Sequence, residues 1–127
     1  MDLKEIIQHV ETFHSAFHIV NHNVPTLLNE KEAELRYNLM KEENEEYLEA
    51  AKNGDMVEIA DALGDQLYIL CGTLLRHGLQ DKIEEVFLEI QKSNMSKLDA
   101  NGNPIFREDG KVLKSELYFK PNIQQFF

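Results

Sequence analysis

Two runs of carboxylates offer chemistry that the rest of the chain does not. The first is Glu42-Glu43-Asn44-Glu45-Glu46; the second is Glu58-Ile59-Ala60-Asp61, with Asp65 one helical turn further on. At about 100° per residue, Glu42, Glu43 and Glu46 fall within an arc of roughly 100° on one helix, and Glu58, Asp61 and Asp65 within roughly 60° on the next. Like charges three or four residues apart each cost a helix about 0.2–0.5 kcal/mol, and more where the effective dielectric falls. Two such clusters on adjacent helices call for a positive charge between them. A hard divalent cation supplies it through oxygen ligands, and Mg²⁺ favours a few carboxylates together with water and a substrate phosphate. The acids at Glu45, Glu49, Glu84, Glu85 and Glu89 read instead as solvated helix formers.

The elements that must position these acids follow from periodicity and punctuation. Apolar residues Leu3, Ile6, Ile7, Val10, Phe13, Phe17 and Val20 recur at three- and four-residue spacing, which predicts an amphipathic helix over residues 2–21. A second helix is expected over 29–52, with Gly54 just past its end, and Asp55 can cap a third running to about His77. The third helix carries its acids opposite an apolar stripe of Met56, Ile59, Leu63, Leu67, Leu70 and Leu74, expected to be its packed face. A shorter fourth helix is expected from Gln80 to Ser93, with Ile83, Val86, Phe87 and Ile90 inward. Residues 94–127 change character: turn signals at Asn101-Gly102 and Asp109-Gly110, then Pro121. The expected architecture is all-α: four helices, the second and third antiparallel, with a C-terminal appendage of loops and short strands. One domain over 1–127 is expected, with a helical body at 1–93 and a tail at 94–127.

Charge narrows the partners. Lys and Arg number 13 against 23 Asp and Glu, a net charge of −10 over 127 residues. Such a balance repels a nucleic-acid backbone, whereas a small phosphorylated ligand is accommodated where a metal ion supplies positive charge. Residues 92–120 run against the trend: six basic residues face four acidic ones, a net of +2, which leaves −12 on the remainder. A phosphate clamp beside a metal cluster would need such an asymmetry, and lysines that merely solubilise a loop would also give it. The single cysteine, Cys71, excludes an internal disulfide framework and Cys-rich zinc sites. No stretch approaches the ~20 apolar residues of a membrane span, and Met1-Asp2-Leu3-Lys4-Glu5 lacks the order of a signal peptide. A cytoplasmic protein without membrane or nucleic-acid partners is expected.

The pattern Glu42-Glu43-x-x-Glu46, followed after eleven residues by Glu58-x-x-Asp61, resembles the signature of the all-α nucleoside triphosphate pyrophosphohydrolases, the superfamily of MazG, dimeric dUTPases and phosphoribosyl-ATP pyrophosphohydrolase. The similarity runs from Leu35-Arg36 through Asp61-Ala62-Leu63-Gly64-Asp65-Gln66-Leu67-Tyr68. It resumes at Ser93-Asn94-Met95-Ser96-Lys97-Leu98-Asp99 and at Gly110-Lys111-Val112-Leu113-Lys114. The combination looks closest to the MazG-like proteins of the phosphoribosyl-ATP pyrophosphohydrolase group.

The resemblance implies a four-helix MazG-like bundle that assembles as a homodimer or homotetramer. It implies hydrolysis of a nucleoside triphosphate to the monophosphate and pyrophosphate with Mg²⁺, or Mn²⁺ in its place. Glu43, Glu46, Glu58 and Asp61 match the metal ligands. Glu42 matches an acid that holds or deprotonates the attacking water, and Glu46 is counted with it as catalytic. Asn94, Lys97, Lys111 and Lys114 match groups approaching the triphosphate, so that the tail would clamp substrate, and Asp65 is counted among the substrate-binding residues. Relatives build a base pocket from the first helix, which here would draw on Phe13, His14, Phe17 and Asn21.

Other readings compete. Hydrolysis of phosphoribosyl-ATP is the enzymatic alternative, and a catalytically silent helical interaction module is the non-enzymatic one. A di-iron bundle needs two Glu-x-x-His pairs, and Glu11-x-x-His14 is only one. Arg36, six residues before the acidic run, reads as a partner for those acids or for substrate, or as a surface residue.

Overall fold

The computed structural model describes residues 1–127 and is all-α: α1 Leu3–Ala16, α2 Glu30–Lys52, α3 Met56–His77 and α4 Ile83–Met95, then a short 3₁₀ helix, Ile123–Phe126. The chain divides into two compact units, Met1–Asp81 and Lys82–Phe127. No helix is long and apolar enough to cross a membrane.

In the first unit, α3 packs against both α1 and α2. Asp2 caps α1 by accepting from the Glu5 N–H, Asn29 caps α2 through the Glu32 N–H, and Asp55 caps α3 through the Glu58 N–H at 3.1 Å. Only Asn53, Gly54 and Asp55 separate α2 from α3, and Gly54 takes the left-handed φ of 66° that such a reversal requires. Cross-links Asn44–Gln66, Arg36–Ile69 and Glu32–Arg76 run in opposite order along the two helices, so the pair is antiparallel.

Helix α1 stops five residues short of the expected end at 21. His18 adopts φ 61°, and the Ile19 N–H reaches back to His14 O at 2.8 Å. The segment beyond is claimed by α3: the His22 N–H donates to Leu75 O, the Thr26 N–H to His77 O, and Arg76 to Val20 O. Continuing the helix would forfeit these bonds, so tertiary contact overrides a pattern that alone favours helix. Phe17 and Val20 are consequently exposed.

The apolar stripe of α3 is not its buried face. Met56, Leu63, Leu67 and Leu70 are exposed, and only Leu74 of the six is buried. The core uses smaller residues, Ala62, Cys71 and Gly72, beside Leu75 and facing Ile7, Val10 and Ala50. Gly72 admits the ends of His14 and Arg36: a Cβ there would lie 2.6 Å from Arg36 Nη2 and 2.9 Å from His14 Nε2. Leu63, Leu67 and Leu70 instead line an open groove of about 620 Å³ with Tyr37 and Met40.

In the second unit, α4 begins at Ile83 rather than Gln80, and the Gln80 side chain donates to His22 O. Phe87 and Ile90, expected inward, are exposed. Ser93 is the buried residue of α4 and donates to Phe119 O at 2.8 Å. The expected short strands reduce to one antiparallel bridge between Phe106 and Val112, astride the turn at Gly110. With so few residues across that turn there is no ladder to extend.

Gly78 ends α3 at φ 69°, with the Leu79 N–H donating to Leu74 O in the pattern of a Schellman cap. A Cβ on Gly78 would lie 2.1 Å from Val24 O. Gly78→Ala should therefore lose about 2 kcal/mol or more, combining left-handed strain with a backbone clash. Denaturant unfolding of the two proteins checks this, and equal midpoints would contradict the packing described.

Candidate active site

The hairpin of α2 and α3 brings carboxylates together without a compensating base. Glu43 and Glu46 sit one turn apart on α2, and Asp65 meets them from α3, so that one oxygen from each lies within 4.8 Å of the others. Asp61, one turn before Asp65, adds its charge to the group. Glu46 also borders a second opening with Glu49, Asp55, Glu58 and Asp61, a pocket of about 420 Å³. The expected ligands Glu43, Glu46, Glu58 and Asp61 are thus distributed around Glu46. Asp65, read from the sequence as a substrate group, stands in the tightest part of the cluster. Glu42 is exposed and outside that group.

Electrostatics report the crowding. Glu43 is half-buried, and its Oε2 is shut from solvent with no hydrogen-bond partner. Desolvation first, then the adjacent Glu46 carboxylate, which can accept from the protonated form, and the charges of Asp65, Glu46 and Asp61 push its carboxyl up to about 7. Asp65 is also raised, by desolvation and then by Asp61 and Glu46. A buried acceptor with no donor, among acids that resist ionising together, fits a hard cation such as Mg²⁺.

Arg36 does not serve these acids, nor does it lie on the surface. It is buried, its Nε donating to Thr73 Oγ1 at 3.0 Å and its Nη2 to Ile69 O at 3.0 Å. Burial and the charge of Arg76 lower its pKa. The guanidinium clasps α2 to α3, a role that its spacing from the acidic run does not announce.

The α1 residues do converge. Phe13 stacks on Phe17 with centroids 4.5 Å apart and meets Tyr68 edge-on at 5.6 Å. His14 is 2 % exposed, and its Nδ1 lies 2.6 Å from Asn21 Oδ1. Tyr68 lies in the stretch that carries the resemblance but has no role in the sequence reading; its place three residues after Asp65 on α3 is the signal that could have given it one.

The second unit holds the remaining expected residues. Asn94 and Lys111 are exposed and Lys97 is half-buried. Lys114 Nζ stands 4.6 Å from the Tyr118 ring centroid, a cation–π contact. Arg107 pairs with Asp109 and so offers less free charge.

Because Glu43 holds its proton up to about pH 7 in the folded chain but ionises near 4.5 when unfolded, the unfolded state sheds protons first as pH rises. Metal-free protein should therefore lose stability between about pH 4.5 and pH 7 from this group, and Glu43→Gln should remove that part of the slope. Thermal melting in chelator across pH 5–8 checks it; identical slopes in the two proteins would contradict the crowding.

Comparisons with known proteins give the family of the chain. A family model described as phosphoribosyl-ATP pyrophosphohydrolase matches residues 10–94, which span α2, α3 and the carboxylate cluster. No curated protein matches the chain. Among solved structures, a proposed NTP pyrophosphohydrolase from Exiguobacterium sp. 255-15 is similar at a TM-score of 0.53 and 26% identity, covering 95% of this chain and 92% of that one. The chain belongs to the phosphoribosyl-ATP pyrophosphohydrolase family, within the MazG-like all-α superfamily of hydrolases that act on pyrophosphate bonds.

Proposed function

We propose that the protein is a Mg²⁺-dependent nucleoside triphosphate pyrophosphohydrolase, with Mn²⁺ as a substitute ion. The observation that carries this reading is the carboxylate group on α2 and α3 with its unpartnered buried oxygen on Glu43. Water attacks the α-phosphorus, the bond between the α-phosphorus and the bridging oxygen breaks, and a nucleoside monophosphate and pyrophosphate leave. Glu43, Glu46, Glu58 and Asp61 would hold the ion, and the position of Asp65 adds it to that set. A divalent ion supplies charge neutralisation and a more acidic water. Glu42, with Glu46, orients the water and receives its proton. Phe13, Phe17 and Asn21, with Tyr68, would receive the base, and His14, buried and bonded to Asn21, would fix that amide. Asn94, Lys97, Lys111 and Lys114 of the second unit are assigned to the polyphosphate on their sequence pattern.

The family match over residues 10–94 favours a second reading, hydrolysis of phosphoribosyl-ATP. A screen of common ribo- and deoxynucleoside triphosphates beside phosphoribosyl-ATP, with pyrophosphate detection, separates the two. We also infer a homodimer or homotetramer, because Leu63, Leu67 and Leu70 with Tyr37 and Met40 leave an apolar groove open. Light scattering checks this, and a monomeric mass counts against it.

Glu46→Gln and Asp61→Asn should each reduce turnover by at least about a thousandfold, as for loss of a group acting within a metal site, while circular dichroism stays unchanged. Near-normal turnover in either variant refutes the assigned roles. Mg²⁺ should raise the melting temperature of the native chain more at pH 8 than at pH 6, since Glu43 must ionise to bind. Equal shifts at the two pH values would remove Glu43 from the ligand set.

A further inference from the structure

We propose that Ser115 is a positioning residue for polyphosphate binding: its hydroxyl fastens the stretch of tail that carries Lys114 across the turn that carries Lys97, so that two lysines far apart in sequence act as one cationic site. The inference deepens the nucleotide reading above and rests on it.

The second unit has almost no core to hold its tail. Ser93 is the one buried residue among Lys82–Phe127, and Met95, Leu117 and Phe119 are exposed. None of the backbone-to-backbone hydrogen bonds outside the helices joins residues 93–98 to residues 115–119. Three serine hydroxyls join them instead. Ser93 Oγ donates to Phe119 O at 2.8 Å, and Ser96 Oγ accepts from the Phe119 N–H at 3.1 Å. Ser115 Oγ lies 3.0 Å from Ser96 O and 2.7 Å from Leu98 O, sharing its one hydrogen between them, and accepts from the Leu117 N–H at 3.1 Å.

The carbonyls that Ser115 engages belong to the residues on either side of Lys97, and Ser115 itself follows Lys114. One hydroxyl therefore brings the backbones of the two lysines together, although 17 positions separate them in the chain. Lys114 is held a second time: its Nζ stands 4.6 Å from the ring centroid of Tyr118, inside the fastened stretch. The ion pairs of the chain belong to Arg76 and Arg107, so neither lysine is neutralised by an acid. Two unpaired cationic residues on neighbouring backbone repel one another, and an anion of several charges relieves that repulsion. Binding and fastening then reinforce each other, since a ligand that gains from both lysines favours the state in which Ser115 is bonded. A neutral hydroxyl suits this task, because it satisfies the carbonyls without drawing either lysine into an ion pair.

Titration calorimetry of the full chain with inorganic tripolyphosphate, Mg²⁺ present throughout, tests this. Ser115→Ala should weaken binding about fivefold, the order of one neutral hydrogen bond, and Ser115→Thr should bind as the wild type does. In a Lys114→Ala background, Ser115→Ala should cost less than about twofold, because the fastening then has nothing left to align. In the wild type, tripolyphosphate should slow hydrogen exchange of the Leu117 amide, and that slowing should vanish in Lys114→Ala. Unchanged binding in Ser115→Ala, the full factor in the Lys114→Ala background, or exchange that ignores tripolyphosphate each overturns the proposal. Should Ser115→Ala fail to fold, the exchange measurement on the wild type and on Lys114→Ala decides alone. Turnover of nucleoside triphosphates by the wild type is scored separately. Its absence removes the pyrophosphohydrolase reading, and its presence without tripolyphosphate binding overturns this inference alone.

Discussion

The repulsion among Glu43, Glu46, Asp61 and Asp65 is the constraint around which the first unit is organised. No nearby base offsets it, and one of its oxygens, on Glu43, is sealed from water without a donor. A chain optimised for stability alone would not keep these acids in one place, since each like-charged pair opposes the others. The arrangement becomes reasonable when the cost is offset by a ligand that brings positive charge. Local destabilisation of this kind is the ordinary mark of a site shaped by chemistry rather than by packing.

Holding like charges together demands fixed helices, and the bonds that fix them lie elsewhere. Arg36 reaches from α2 to Thr73 and Ile69 of α3, and Arg76 reaches back to Glu32 while also holding Val20. These guanidiniums sit toward the end of the hairpin remote from the α2–α3 turn, with the acids between them and the turn. Gly72 makes the approach feasible, and the same gap seats His14, so one missing side chain joins the clamp to the aromatic group. The inter-helix clasp and the residues proposed to receive the base thereby share a neighbourhood.

Much of this was legible in the residues themselves. Gly54 and Asp55 mark the turn and the start of α3, Gly78 marks its end, and Glu43, Glu46 and Asp65 meet across α2 and α3. What escaped was whatever depends on long-range partners. The α1 pattern runs past Ala16, and nothing in it reveals that backbone groups of the following loop are taken by α3. Periodicity finds an apolar stripe on α3 but cannot say what covers it; the covered face proved to be the one with the small residues. Arg36 is the same lesson for charge, because a lone arginine in a helix gives no local sign of burial. Asp65 and Tyr68 gain their meaning only from the antiparallel partner and from α1.

The brevity of the connection between the two acidic helices has a consequence for how this unit tolerates change. Glu43 lies eleven residues before Gly54 and Asp65 eleven after it, so the two halves of the cluster are mirror positions about one pivot. Adding or deleting a single residue within α3 between Asp55 and Asp61 would turn the acids beyond it by about 100° and slide them by about 1.5 Å. Asp61 and Asp65 would rotate out of phase with Glu43 and Glu46 while every helix remained intact. The number of residues between the turn and each acid, as much as the identity of the acids, sets whether the cluster exists.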